Sequence, residues 1–492
     1  VVTGKEKFCF MTNIKNIARV LGPVLAIACP LLIDIPGHPQ AAFMLGIALW
    51  MALWWLTECV PLAVTALIPL IAFPLSGIAT AKETAPRYMT SIMFLFVGGF
   101  LIAQALERTG LHKRLALVVL SRFHHSPFQI LVGFAFTTAF LSMWVSNTAT
   151  TMLMVTIAIA VLSRLDKLFS SAQMSAFATV LLLTIAYSAN IGGMGTPVGT
   201  VPNLVFLENV RTTSPELVPS FMQWMMVGVP MVIVGLTVVL LLLGRKVRSL
   251  HWQAGSVDHL HAELHTLGPL KRDEKFVGWV LGLTAVAWMT RQGIKGDEFT
   301  IPGWSSLLPH PGIDDGTVAI FSALLLFLIP VRQGQPILSK DAIGKLPWDI
   351  LILLGGGFAL AMGMKGSGLS LWVGEQLSFL SVVPLPLMLL GIAAVIIFLT
   401  EITSNTATTQ VMLPVLAGVA IATEQDLIAL LLTTTLAASC AFMLPVATPP
   451  NAIVFGTQRI QIQDMIKAGI RLNLVMLVVV VGVVWFLRPL LP

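Results

Sequence analysis

Long apolar blocks alternate with short polar segments along the whole chain. Blocks at 20–35, 41–56, 60–78, 92–106, 175–206, 224–243, 276–289, 318–329, 350–373, 427–455 and 472–487 predict eleven membrane-spanning helices. A span needs roughly 20 mainly apolar residues. A membrane β-barrel would instead show short alternating segments. The pattern predicts an all-α polytopic membrane protein.

Two further apolar stretches, 129–162 and 386–422, are too long for one span and short for two. Each is interrupted midway by polar residues, Ser146-Asn147-Thr148 in the first and Ser404-Asn405-Thr406 in the second. Cutting at the triplet leaves arms of about 15–17 residues, or about 22–26 Å. Such arms fit a re-entrant hairpin that enters and leaves on one side, with the triplet at its tip near the bilayer midplane.

Composition agrees. The chain of 492 residues is 56% hydrophobic and 11% charged, with pI near 9.3. The basic residues sit between spans and form no soluble face, which argues against a nucleic-acid partner. Their placement orients the chain. Only Lys82, Arg87, Arg211, Arg291, Lys295 and Arg488 fall on one side, and Lys365 falls inside a span; the remainder of the 29 fall on the other. That bias predicts a plasma-membrane protein with its N-terminus cytoplasmic and its C-terminus outside. The first hairpin then opens inward and the second outward. Lys5, Lys7, Lys15 and Arg19 before the first apolar block resemble a signal peptide, but no small-residue cleavage site follows, so that block reads as a retained span. Cys9, Cys29, Cys59 and Cys440 have neither metal-ligand nor disulfide spacing and read as small core residues.

The halves repeat. Ser404 follows Ser146 by 258 residues, and Gly356-Gly357-Phe358 follows Gly98-Gly99-Phe100 by the same interval. Downstream, GGMGTPVGTVPN at 192–203 faces LPVATPPN at 444–451. Three landmarks in one order predict an internal repeat, inverted by the topology, as in many secondary transporters. The predicted divisions are 1–90 (N-terminal scaffold helices), 91–210 (first repeat core), 211–348 (scaffold helices and inner loop), 349–460 (second repeat core) and 461–492 (C-terminal helix).

The glycines and prolines of the two TP…PN stretches cannot continue a regular helix. Irregular backbone at membrane depth is tolerated where it is buried in protein or lines a cavity. Its free carbonyls suit a hard cation such as sodium, while half-helix N-termini favour an anion. The Ser-Asn-Thr tips add helix N-caps, hydroxyls and amides that can bind a carboxylate, and an Asn carbonyl that can ligate sodium. The stretches 132–160, 189–206 and 436–455 hold no Lys or Arg, and 384–422 holds only Glu401. An anion bound there needs cations bound with it.

The paired SNT motifs, GGMGTPVGTVPN and ATPPN resemble those of the divalent-anion:sodium symporter family of sodium–dicarboxylate cotransporters, over nearly the whole chain. The resemblance implies a homodimer, with scaffold and transport domains in each protomer, working by elevator-type alternating access. It implies substrate binding by Ser146, Asn147, Thr148, Ser404, Asn405 and Thr406, with Pro197 and Pro449 shaping the adjacent loops. It places one sodium at Ser142, Ser146, Asn147 and Gly195, and a second at Thr400, Thr403, Asn405 and Ala447. The expected partners are a dicarboxylate, sodium, the lipid bilayer and a second copy of the chain.

Glu401 is an intramembrane carboxylate, open to a proton-relay, cation-binding or structural reading. His259, His261 and His265 suggest metal, but the flanking basic loop favours a solvated segment. Lys365 reads as snorkelling or pairing at a helix end. No histidine or paired base lies in the apolar hairpins or breaks, so no nucleophile would be activated and an enzyme is not expected. The expectation is sodium-coupled import of succinate, malate or fumarate. A sodium-independent dicarboxylate antiporter and a sulfate or citrate carrier are the alternatives, and a channel fits paired breaks less well.

Overall fold

The computed structural model describes residues 4–123, 126–165, 170–245, 247, 259–295, 300–309, 312–331 and 334–492. These residues are almost entirely helical. The exception is a small antiparallel ribbon that pairs Gly293–Lys295 with Thr300–Pro302. Among the described residues, nine helices are long and apolar enough to cross a membrane. Large apolar side chains such as Leu31, Leu75, Trp279 and Phe486 are exposed on the outer faces, as expected of a multi-pass membrane protein meeting lipid tails. Cys29, Cys59 and Cys440 are buried free thiols.

Both hairpins form where polar triplets interrupt apolar sequence. Ser126 Oγ caps the first by accepting the Gln129 amide, and Pro127 opens its helix, Pro127–Ser142. Proline is suited to that position because the first-turn amide has no partner within the helix. The chain turns through 143–146 and returns as Asn147–Leu165. In the second hairpin Leu385–Thr400 leads to Asn405–Ala422. The arms are unequal. The returning helices, of 19 and 18 residues, are about 27–29 Å long at 1.5 Å per residue. Each therefore approaches the length of a full span, more than the even division of the apolar stretch suggests.

Several apolar blocks are not single helices. The block at 175–206 divides into Ser171–Gly192, a 3-10 turn at Gly193–Gly195, and Val201–Thr213. That at 427–455 divides into Leu427–Ala438 and Pro449–Gly456. The block at 60–78 comprises Leu62–Thr65 and Ile68–Ser76, because Pro69 has no N–H to return to the Thr65 carbonyl. The block at 350–373 stops with Trp348–Gly366 and restarts as Leu369–Gln376. Gly368 between them has φ +80°, a left-handed conformation that glycine adopts without a Cβ clash.

Packing brings the interrupted elements together. Pro127–Ser142 lies against Ser171–Gly192, and Leu385–Thr400 lies against Leu427–Ala438. Each hairpin's entering arm thus supports the first half of a broken helix. A separate core joins Pro39–Thr57, Ile68–Ser76 and Trp348–Gly366 through Met44, Phe73 and Leu360.

Candidate functional site

At the first hairpin tip Ser142 Oγ lies 2.6 Å from Asn147 Oδ1 and 2.8 Å from the Ala189 carbonyl oxygen. At the second, Thr400 Oγ1 lies 2.6 Å from Asn405 Oδ1 and 3.0 Å from the Ala438 carbonyl oxygen. Each cradle gathers a hydroxyl, an amide and a backbone oxygen. A hydroxyl has a single hydrogen, so it cannot satisfy both acceptors fully. Oxygen-rich clusters short of hydrogens suit a hard monovalent cation such as sodium. The donor set therefore fits the cation expected there.

The neighbouring linkers are braced by asparagines. Asn203 Nδ2 donates to the carbonyls of Gly193 (2.9 Å) and Thr196 (2.7 Å). Asn451 Nδ2 donates to those of Ala441 (3.1 Å) and Leu444 (3.0 Å). Asn203 and Asn451 are the last residues of the two PN pairs, so the matched letters carry matched bonds. Gly193 is needed for close approach: a Cβ there would lie 2.7 Å from Asn147 Oδ1.

The halves differ at Glu401. Its carboxylate accepts the amides of Phe442, Met443 and Leu444 and the side-chain Nδ2 of Asn473. It holds the second linker against its hairpin tip. Met143, 258 residues earlier, has no carboxylate to offer; its backbone carbonyl accepts from Thr196 Oγ1 at 2.5 Å and its side chain packs against Gly195.

Both tips open on one cavity of about 700 Å³, lined by Ser146, Asn147 and Thr148 from one side and Ser404, Asn405 and Thr406 from the other. No Lys or Arg is among its lining residues; the charged ones are Glu58 and Asp349. Two helices begin at its wall, at Asn147 and Asn405, and their N-terminal amides favour negative charge. With both Asn Oδ1 atoms facing the cradles, the Asn Nδ2 groups are left as donors for a carboxylate.

Other expected residues fall at different depths. Pro449 and Ala447 line the cavity, whereas Pro197 is buried behind it, and Pro445 occupies the matching place in the second linker. Ser142, Gly195, Thr400 and Thr403 lie behind the wall. Thr403 Oγ1 is committed to the Leu399 carbonyl (2.8 Å) and Thr408 Oγ1 (2.6 Å), which leaves its backbone oxygen for a cation. Lys365 Nζ caps Val201–Thr213 by donating to the carbonyls of Thr212 (2.5 Å) and Thr213 (3.2 Å). The side chains of His259 and His261 lie outside the described residues, and no cluster of three or more metal-binding side chains occurs among the described ones. Sequence reasoning missed Asn190, which lines the cavity, and the bracing by Asn203 and Asn451.

The model of the sodium:sulfate symporter transmembrane region matches residues 12–491. The sodium-dependent dicarboxylate transporter SdcS of Staphylococcus saprophyticus is 40% identical over 484 residues, covering 96% of this chain and 91% of its own. SdcS of Staphylococcus aureus (strain MRSA252) is 38% identical over 500 residues, covering 99% and 93%. In fold the chain is similar to the Alcanivorax borkumensis YdaH transporter (TM-score 0.54, 16% identity, 85% of this chain and 89% of that one). It is also similar to Neisseria gonorrhoeae MtrF (TM-score 0.56, 11% identity, 93% and 96%).

Proposed function

From the premise that the chain belongs to the sodium:sulfate symporter family, we propose that it imports C4-dicarboxylates such as succinate, malate and fumarate with sodium. The protein is a transporter, not an enzyme. The observation that carries the reading is a single cavity with an oxygen cradle behind each of two hairpin tips and no Lys or Arg in its wall. Sodium at Ser142, Ser146, Asn147 and Gly195, and at Thr400, Thr403, Asn405 and Ala447, offsets the charge of the dianion. Its carboxylates meet the Asn amides, the Ser and Thr hydroxyls and the two helix N-termini, with Pro197 and Pro449 shaping the loops.

The matched cradles support an inverted repeat, and the repeat supports alternating access by elevator movement of 91–210 and 349–460 against scaffold helices in 1–90 and 211–348. In this reading eleven spans cross the plasma membrane with the N-terminus cytoplasmic and the C-terminus outside. The protein works as a homodimer. Uptake of labelled succinate into proteoliposomes tests it: accumulation requires an inward sodium gradient. Equal exchange without sodium supports the antiporter instead. Uptake of sulfate but not succinate supports the carrier for which the family model is named.

A further inference from the structure

A second, apolar crevice of about 480 Å³ lies between the entering arm of the first hairpin, helix Leu111–Leu120 and helix Arg272–Thr290. Phe140 and Trp144 line it from the hairpin, Leu111 and Leu115 from the short helix, and Trp279 and Gly282 from the third. Trp279 is 70% exposed and Phe140 44%, so the crevice opens on the apolar outer surface. Two glycines keep it open. A Cβ at Gly282 would meet nothing within 4 Å, and one at Gly278 would meet only Leu111 Cδ2, at 3.5 Å.

Its charge is confined to one end. The charged lining residues are Glu274 and Lys275, both in the first turn of Arg272–Thr290. Glu274 is committed: Oε1 accepts from Arg114 Nε at 2.9 Å and Oε2 accepts the Lys271 amide at 2.8 Å. Lys275 is exposed and has no ion-pair partner among the described residues, and the exposed Lys271 and Arg272 precede it on the same helix end. A free cation therefore stands at the mouth of an otherwise apolar crevice. From Lys275 to Ala285 the crevice follows the helix for about 15 Å at 1.5 Å per residue. That is half of the roughly 30 Å hydrocarbon core, the depth of one leaflet. At the hairpin, Trp144 borders both this crevice and the cavity that holds Ser146 and Asn147.

We propose that this crevice holds an acyl chain of an anionic phospholipid, with the phosphate at Lys275 and the chain running past Trp279 and Gly282 to Trp144. Basic pockets between helices on the cytoplasmic side suit anionic headgroups, and the proposed orientation puts the start of Arg272–Thr290 on that side. The walls come from 91–210 and from 211–348. A bound lipid joins the hairpin to the helix beside it and reaches the tryptophan that also borders the cavity.

The test uses the full chain in a neutral detergent. Phosphatidylglycerol with a photoreactive diazirine in its acyl chain is added, and adducts are mapped by mass spectrometry after illumination. Adducts are expected in 140–144 and 279–285. Unlabelled phosphatidylglycerol should compete about fivefold better than phosphatidylcholine with the same chains, the worth of one lysine at a membrane surface. Lys275→Gln should erase that preference and keep the adducts. Gly282→Leu, whose side chain enters open space, should remove the adducts and the rise in melting temperature that phosphatidylglycerol gives wild-type protein. Lys275→Gln changes only an exposed side chain, so it decides the matter even if Gly282→Leu does not fold. Adducts spread evenly over the apolar surface overturn the site, as do unchanged labelling in Gly282→Leu and an unchanged lipid preference in Lys275→Gln. Stronger competition by palmitate would make the occupant a free fatty acid and overturn the phospholipid assignment; competition by inorganic phosphate alone would reduce the site to a surface cation. These readouts do not use transport, so failure of the sodium-coupled reading leaves this site standing, and failure of the site leaves that reading untouched.

Discussion

Glu401 Oε1 accepts a 2.7 Å hydrogen bond from Asn473 Nδ2, tying the second hairpin tip to helix Ile462–Leu487. The two residues are 72 apart in sequence and both are buried. Hydrogen bonds to charged groups contribute about 1.5–3 kcal/mol, and the rest of the carboxylate is held by the linker amides. Asn473→Ala is expected to destabilise the detergent-solubilised protein by about that amount, read from its unfolding transition. An unchanged transition would show that the bond adds nothing to folding.

Asn147 and Asn405 each combine a cradle oxygen with a free amide donor. Asn147→Ala and Asn405→Ala are each expected to abolish succinate uptake while leaving the protein folded, as checked by size exclusion and melting temperature. Wild-type transport by either variant would remove the shared site.

Gly193 admits the tip of the first hairpin. In Gly193→Ala the added methyl would stand 2.7 Å from Asn147 Oδ1, so one of them must shift. Displacing a positioned group by an ångström costs roughly tenfold or more in rate, and uptake should fall by at least that factor. Gly193→Ala with normal sodium affinity and rate would show that the approach tolerates a side chain.

Charge movement gives a prediction independent of any mutation. Moving one charge through 100 mV is worth roughly 2.3 kcal/mol, so a dianion alone meets about 4.6 kcal/mol on entering a negative-inside cell. With at least three sodium ions the sign reverses. Succinate in sodium buffer should evoke inward positive current, and an inside-negative potential should speed uptake. Sodium-dependent uptake indifferent to a diffusion potential would contradict net charge movement.

Topology can be tested by labelling. Cysteines introduced at His259 and at Pro492 should react with an impermeant reagent from opposite faces, the first cytoplasmic and the second external. Reaction of both from one face would break the inverted arrangement of the halves.

The polar tips were legible in sequence because Ser146-Asn147-Thr148 and Ser404-Asn405-Thr406 interrupt apolar runs, where polar groups are costly without partners. The breaks in 175–206 and 427–455 were legible from Pro and Gly within apolar blocks, whereas 350–373, broken at Gly368, read as one span. The break between Thr65 and Ile68 was hidden because Ala66 and Leu67 continue the apolar run without a polar residue or glycine to mark it. Arm lengths were misjudged because hydropathy marks where apolar residues stop, while Leu165 still belongs to a helix whose last turn includes Arg164. Asn190 gave no signal: one amide beside a glycine-rich break looks like part of the break, and its bonds to Ala441 and Thr448 join residues some 250 positions away. The matched PN pairs announced a repeat, but only the three-dimensional arrangement shows that their amides reach back to linker carbonyls.

Those amides have a mechanical consequence. A helix interrupted by glycine and proline invites the picture of a hinge bending at the gap. Here Asn203 crosses its gap to hold Gly193 and Thr196, and Asn451 crosses the other to hold Ala441 and Leu444. Each gap is a braced corner, stiff in the directions those bonds span. In the proposed transport movement these corners stay intact and the chain bends elsewhere, so that both hairpin tips and both linkers would travel as one block.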